Sequence, residues 1–440
     1  RLAQVRDQIA AERSGTKSGS GLPSVQSGFI DLPHEMLEDF RQKREQSDLA
    51  RCLECGDYLR QNFDVLVVLG KSSPYFGTQA LFQALRNRHH NELPPEKRLG
   101  IPRVYFAGHS FDPDSFQELI DLLQDRCVDP NVREERWAVL VLSNREHDLE
   151  SGIALRCLRK EGEEYYGSRS GWLEHVFSGV TDRHSKLRHQ LKGMGASDDS
   201  LLTVPDSVGS RFCIFSPVCL LPASALGMDI RALLLGAAMM TKKFLEEPVE
   251  TNPVLQLAGL NHLLHKELSH SGQVLAVWSD KLEGVGHWYE QMFSDSLGQT
   301  GLGLLPQCRV MPRDHSAFES IQPQGPRSRP ILNLHVKTVQ SHSIRVQMAD
   351  PNHDELNQFN RKNMHDFSLA AMKSINKTMW EAGRPTIDLY LPNLSEHSLG
   401  QLLQLFMLST VVQAQLLGVN PYGHSGAEAY LKFIPEFLRG

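Results

Sequence analysis

Strong charge of either sign is missing from this sequence. Its 46 Lys and Arg nearly balance 52 Asp and Glu, for a formal net charge of -6 over 440 residues, so no broad basic field exists to hold nucleic-acid phosphates or anionic lipid. Nucleic acid and membrane are not expected partners. Long apolar runs are scarce too: Ile230–Met240 and Leu402–Leu417 carry polar residues or fall short of the roughly 20 apolar residues that span a bilayer. The opening stretch, RLAQVRDQIAAER, is charged and helical in pattern and lacks the apolar segment of a secretory signal. Cysteine is sparse, and seven in a long chain fit reduced cytoplasmic thiols better than a disulfide framework. Cys52 and Cys55 form a lone CxxC with no second pair and no nearby ligand His, so helix positions are expected rather than a zinc site. The loop after the first expected strand lacks a G-x-G-x-x-G fingerprint, which argues against a nucleotide-binding dehydrogenase.

What is present is an ordinary globular composition, 40% hydrophobic and 22% charged, in a chain long enough for two lobes with separate cores. Ser14–Gly21 (SGTKSGSG) suits a flexible linker, with the folded body expected after it. An apolar helical pattern over Leu49–Asn62 leads into Val65–Leu69 (VLVVL), a run that fits a strand buried on both faces. Strands at Val104–Ala107 and Trp137–Leu142 alternate with helices at Ser115–Gln124 and Leu149–Arg159. After Pro205 the pattern restarts, with helices at Ile230–Leu245, Val254–Leu268, Gly284–Phe293, Glu355–Glu381 and Leu399–Leu417, and strands at Val274–Trp278, Ile331–Val336 and Ile387–Leu391. Such alternation predicts α/β architecture with doubly wound parallel sheets. The expected divisions are an arm and linker over 1–45, a first domain over 46–200 and a second over 201–440. Ligands in such sheets bind beyond the carboxyl ends of strands, so the loops after Leu69, Leu142 and Trp278 are the places to search.

The first of these loops, Gly70-Lys71-Ser72-Ser73-Pro74-Tyr75-Phe76-Gly77, opens a helix, where backbone N–H groups favour a phosphate; the plain alternative is a strand-to-helix turn. The second, Ser143-Asn144-Arg145-Glu146-His147-Asp148-Leu149-Glu150, reads either as an anion contact through Ser143 and Arg145 or as a solvated charged loop. Further landmarks are Asp206-Ser207-Val208-Gly209-Ser210-Arg211-Phe212 with Ser216–Ala223, Trp278–Leu282 and His287–Gln291 leading into Ser294-Asp295-Ser296-Leu297-Gly298-Gln299, Arg313-Asp314-His315-Ser316 with Gly325-Pro326-Arg327, and Asn420–Lys432 (NPYGHSGAEAYLK).

In this order, from Gly28 to Lys432, the segments resemble the glucose-6-phosphate isomerase family, whose corresponding motifs read G-I-G-G-S-x-L-G, S-K-[ST]-x-T-T, V-G-G-R-[FY]-S, E-S-x-G-K, T-D-Q-H-S and N-P-F-D-Q-P-G-V-E-x-x-K. The resemblance implies two sugar-isomerase (SIS-type) domains, each a three-layer αβα sandwich. It also implies an aldose–ketose isomerase acting on glucose 6-phosphate and fructose 6-phosphate without metal or cofactor.

By the same resemblance Gly70, Lys71, Ser72, Ser73, Ser143 and Arg145 fall at the phosphate, and His424 at the sugar. Arg211 takes the place of the arginine that stabilises the enediolate. Asp295 stands where the family has a glutamate base, one methylene longer; a capping or solvated role is the alternative. His315 stands for the histidine that assists ring opening and enters from a neighbouring subunit, which implies a homodimer; its alternative is a structural pair with Asp314. Lys432 lies one residue past the family's lysine column, which Leu431 occupies, a step that turns a side chain by about 100° on an α-helix. Two inner glycines of the phosphate loop have become Ser72 and Ser73, its serine Pro74, and two threonines of the second loop His147 and Asp148. These changes remove donors and leave a non-catalytic or repurposed sugar-phosphate-binding or regulatory module as the alternative function.

Overall fold

A computed structural model describes residues 1–13, 26–143, 149–167, 176–183, 185–267, 269–298, 301–316, 329–341, 344–423 and 427–439. Among the described residues, nine strands form two sheets. β1 (Val65–Gly70), β2 (Arg103–Ala107), β3 (Trp137–Leu142), β4 (Phe177–Thr181) and β5 (Leu201–Thr203) lie in the order β2-β1-β3-β4-β5, and every pairing is parallel. β6 (Gly272–Val277), β7 (Leu305–Val310), β8 (Ile331–Thr338) and β9 (Thr386–Asn393) lie in the order β7-β6-β8-β9, again all parallel. Both sheets therefore wind alike: the chain steps to one side first, then returns past its first strand and continues the other way. That reversal falls between β1 and β3 in one sheet and between β6 and β8 in the other. With helices packed on them, the sheets are the two parallel α/β sandwiches that the alternation predicts.

The apolar runs behave as expected of central strands: β1, β3 and β6 are buried along their whole length. Edge strand β7 alternates between buried and half-buried residues. Three strands escape the sequence reading, namely β4, β5 and β7. Another correction concerns Glu355–Glu381, where the helix begins only at Met364. Asn363 caps it and Asp366 returns the bond in a capping box, while Glu355 adopts a left-handed φ of 57°.

The two halves do not have separate cores. One continuous apolar cluster runs from Val5 to Leu416 through both sheets, and a smaller one lies around Trp278, Met372 and Met379. The 22-residue helix Glu396–Leu417 joins the halves. It is long and apolar enough to cross a membrane, but most of it is buried inside the protein. Its Phe406 stacks on Tyr289 at 4.1 Å, and Gln404 donates to the Thr241 hydroxyl at 2.8 Å. It crosses helix Ile230–Glu246 so closely that a Cβ at Gly400 would lie 2.0 Å from the Leu233 carbonyl oxygen. The Leu2–Arg13 helix also belongs to the folded body, contrary to expectation: Val5 and Ile9 are buried, and Arg1 and Arg6 donate to the Leu416 and Glu247 carbonyls. The linker Ser14–Gly21 lies outside the described residues.

Candidate functional site

The loop after β1 and the helix after β3 meet where the first sheet reverses its winding, since Gly70 of β1 is in register with Leu142 of β3. This is the position at which open α/β sheets bind ligands. Lys71 precedes helix Ser72–Leu85, and Ser72 itself has φ 54°, a left-handed conformation that a Cβ makes costly. The substitution of serine for glycine noted in the sequence therefore falls where the backbone favours glycine.

Lys71 is not aimed at open solvent. Its Nζ lies 3.1 Å from Glu150 Oε2, and both side chains are almost fully buried. Glu150, near the start of helix Leu149–Tyr166, also accepts the Tyr430 hydroxyl on Oε1 at 3.0 Å. Burial opposes its charge, but its own backbone N–H, Lys71 and Tyr430 outweigh that cost and hold the carboxyl below its usual pKa. Ser143, at the end of β3, is buried beside this pair's strands and donates its backbone N–H to the Val180 carbonyl.

A second chain of contacts starts at Ser73, which is buried. Its hydroxyl donates to Gln291 Oε1 at 3.4 Å, and Gln291 Nε2 donates to Asp295 Oδ2 at 2.9 Å. Gln291 and Asp295 are one turn apart on helix Glu283–Leu297, which packs closely on Ser72–Leu85: a Cβ at Gly284 would lie 3.1 Å from Ala80 Cα. The structure thus links Asp295 to the loop after β1. The landmark His287–Gln291 contains Gln291, but sequence reasoning gives it no role, although its position one helical turn before Asp295 is the available signal.

Arg211 lies in the 3₁₀ segment Ser210–Phe215. Its Nη1 and Nη2 donate to the carbonyls of Pro421 (2.8 Å) and Gly423 (2.5 Å). It lines, with Gln26, Gly209, Tyr422 and Gly423, a cavity of about 30 Å³, room for one or two waters. Arg211 is therefore joined to the turn that leads to His424, while His424 and Arg145 lie outside the described residues. The C-terminal stretch ties the site together, meeting Arg211 through residues 421–423 and Glu150 through Tyr430.

Two expected residues are elsewhere. Lys432 is exposed, with its ammonium over the Phe433 ring at 4.7 Å. The stretch Ala427–Phe433 is a 3₁₀ helix, with about three residues per turn, so the direction Tyr430 takes toward Glu150 is not shared two residues later. His315 follows the Arg313–Asp314 pair, which is anchored to Glu283 by an Arg313 contact of 2.7 Å. Glu283 and Asp295 are at opposite ends of one helix, about 18 Å apart along its axis. Within one chain, His315 therefore belongs to a different end of the molecule's site-bearing helix pair.

The CxxC cysteines are both on helix Asp48–Asn62; Cys52 is buried, and Cys55 donates its thiol to the Asp199 carbonyl at 3.1 Å. Among the described residues no group of His, Cys, Asp and Glu could hold a metal ion.

Two parallel sheets of the same winding, with a cation and a carboxylate gathered where one of them reverses, define a two-sheet α/β protein of the doubly wound class. Known proteins make the class specific. Residues 180–301 match the phosphoglucose isomerase family. The glucose-6-phosphate isomerase of Symbiobacterium thermophilum is 31% identical over 431 residues, covering 97% of this chain and 88% of that protein. That of Alkaliphilus metalliredigens is 27% identical over 94% of this chain and 87% of its own. Among solved structures, a hypothetical protein from Thermus thermophilus superposes with a TM-score of 0.80 at 24% identity, covering 100% of this chain and 95% of the other. A Chlamydia trachomatis glucose-6-phosphate isomerase does so at 0.76 and 16% identity, covering 99% and 83%. The chain belongs to the glucose-6-phosphate isomerase family.

Proposed function

We propose that this protein is an aldose–ketose isomerase that interconverts glucose 6-phosphate and fructose 6-phosphate, with Asp295 as the base. The observation that carries the reading is the Ser73–Gln291–Asp295 chain, which holds a carboxylate by a side-chain amide against the first turn of the helix after β1. In the open-chain aldose, Asp295 takes the proton from C2, and the C2–H electrons form the C1=C2 bond of an enediolate while charge moves onto O1. With the O2 proton passed to O1, the same carboxyl returns its proton to C1 while the electrons on O2 form the C2=O2 bond, giving the ketose. Arg211 offsets the enediolate charge with its guanidinium. His315 assists ring opening from a second copy of the chain, so the proposed assembly is a homodimer. The route uses side chains alone.

A second reading, a repurposed paralogue that binds a sugar phosphate without turning it over, is favoured by the Lys71–Glu150 ion pair, which engages the one lysine of the loop after β1. Purified protein with fructose 6-phosphate in an assay coupled to glucose 6-phosphate oxidation separates the two. Turnover that falls by about 10²–10³ in Arg211→Ala supports the isomerase; binding of fructose 6-phosphate without turnover supports the paralogue.

A further inference from the structure

We propose that a cavity at the C-terminal end of helix Ser72–Leu85 is a second binding site, for a small hydroxylated monocarboxylate, with Lys281 as its anchoring cation. The inference draws on nothing in the isomerase reading.

The cavity has a volume of about 220 Å³ and is lined by the amides of Gln79, Gln83 and Asn87, by Phe82 and Phe106, and by the segment after β6. Ser73 and Gln83 lie on one helix, about 15 Å apart along its axis, so the cavity is separate from the Ser73–Gln291–Asp295 chain. Of the charged side chains around it, all but one are engaged. Arg88 Nη1 is 2.5 Å from Asp280 Oδ2, and Glu283 Oε1 is 2.7 Å from Arg313 Nη2. Lys281 is the exception, since among the described residues no carboxylate pairs with it. Burial lowers its pKa, and the charge of Arg86 lowers it further. Arg86 is in the same position: its Nε and Nη2 are buried and have no hydrogen-bond partner among the described residues. Glu396 attracts it and Arg60 repels it, and burial outweighs both. Buried donors without partners are rare in native proteins. One negative charge beside Lys281 would lower the potential at both cations.

The walls also limit what that negative charge can be. A phosphate dianion would meet Asp280 and Glu283 as like charges, whereas a carboxylate matches the single unpaired lysine. The three amides can each donate and accept, which suits hydroxyl groups on the rest of the ligand. The volume holds about seven waters at about 30 Å³ each, and glycerate has about that many non-hydrogen atoms.

Isothermal titration of the full chain with glycerate, and separately with glycerol and inorganic phosphate, tests this. Glycerate is expected to bind with a Kd of about 1 mM, ordinary for a ligand of its size, and uncharged glycerol is expected to give no binding. Lys281→Gln should weaken glycerate at least about tenfold, the scale of one charge-assisted bond. Gln83→Leu should weaken it about fivefold, the scale of a neutral bond, and decides the question should Lys281→Gln fail to fold. No binding of glycerate at about ten times the expected Kd, or binding that neither variant weakens, would overturn the proposal. Phosphate that binds as tightly as glycerate and is lost equally in Lys281→Gln would overturn it too, since the cavity would then be a general anion site. Neither the expected nor the contrary result depends on turnover of fructose 6-phosphate.

Discussion

Ser72 carries a local cost at the edge of the site. Its φ of 54° puts a Cβ in a region that L-residues enter at a cost of about 1–3 kcal/mol, partly offset in glycine by the entropy of its freer unfolded chain. Ser72→Gly is therefore expected to raise unfolding free energy by about 1 kcal/mol, read from urea denaturation. No change would mean that the loop relaxes around serine without strain. The neighbouring residues show how much of a site a sequence can state. Lys71, Ser73 and Asp295 were recognisable because they stand beside a strand end or inside an ordered set of landmarks. Glu150, Gln291 and Tyr430 stand in the same landmarks but carry no role there, since their contacts reach across 79, 218 and 280 positions. Spacing says nothing of such contacts. Lys432 illustrates the converse: its place in the landmarks looked nearly right, and the 3₁₀ winding of its segment gave the inward contact to Tyr430 instead.

At the scale of elements, burial on both faces made β1, β3 and β6 legible as unbroken apolar runs. β4 was hidden because Ser178 and Gly179 interrupt its pattern. Gly179 is there for space: a Cβ would lie 2.9 Å from Leu191 Cδ1 and 3.0 Å from the Val141 carbonyl oxygen. β7 was hidden because an edge strand needs only alternate apolar residues. The helix pair Ile230–Glu246 and Glu396–Leu417 depends on small residues in the same way. Gly236 meets the His397 backbone and Gly400 the Leu233 backbone, so the helices cross at backbone contact and a methyl group has no flexible neighbour to displace. Gly400→Ala should destabilise the protein by about 3 kcal/mol or more, measured as a lower urea midpoint. A loss below about 0.5 kcal/mol, the range of ordinary surface changes, would contradict this packing.

For the whole molecule, one apolar cluster shared by both sheets predicts a single cooperative unfolding step, and the buried histidines give that step a pH dependence. Burial pushes the pKa of His90 down, and nearby arginines add to the effect. It does the same to His335, where His365 adds and Asp388 opposes. Their folded values thus lie below about 6.5, the unfolded value. The stability they contribute is complete above that pH and is lost as pH falls through the depressed values, because the unfolded chain takes up protons first. Glu150 acts in the same direction at lower pH, since its folded pKa lies below the ordinary glutamate value. His287 is raised by its hydrogen bond to Glu290 and opposes the trend, but it is about half exposed and its pair is screened. The urea midpoint should therefore be lower at pH 5.5 than at pH 7.5, and His335→Asn should flatten the difference; an unchanged slope would assign the dependence elsewhere. The same whole-molecule view gives the assembly prediction: light scattering should find a dimer at micromolar concentration, and a monomer would leave His315 without a site to complete.

The proton transfer proposed for Asp295 is the central claim, and hydrogen exchange reads it without a coupling enzyme. Fructose 6-phosphate is incubated with the protein in heavy water and followed by NMR. Solvent deuterium is expected at C2 of the glucose 6-phosphate that forms and at C1 of the remaining fructose 6-phosphate, and Asp295→Asn should slow both by about 10²–10⁴, the range of a general base. Exchange that is absent from the unaltered protein, or equally fast in Asp295→Asn, would contradict the assignment.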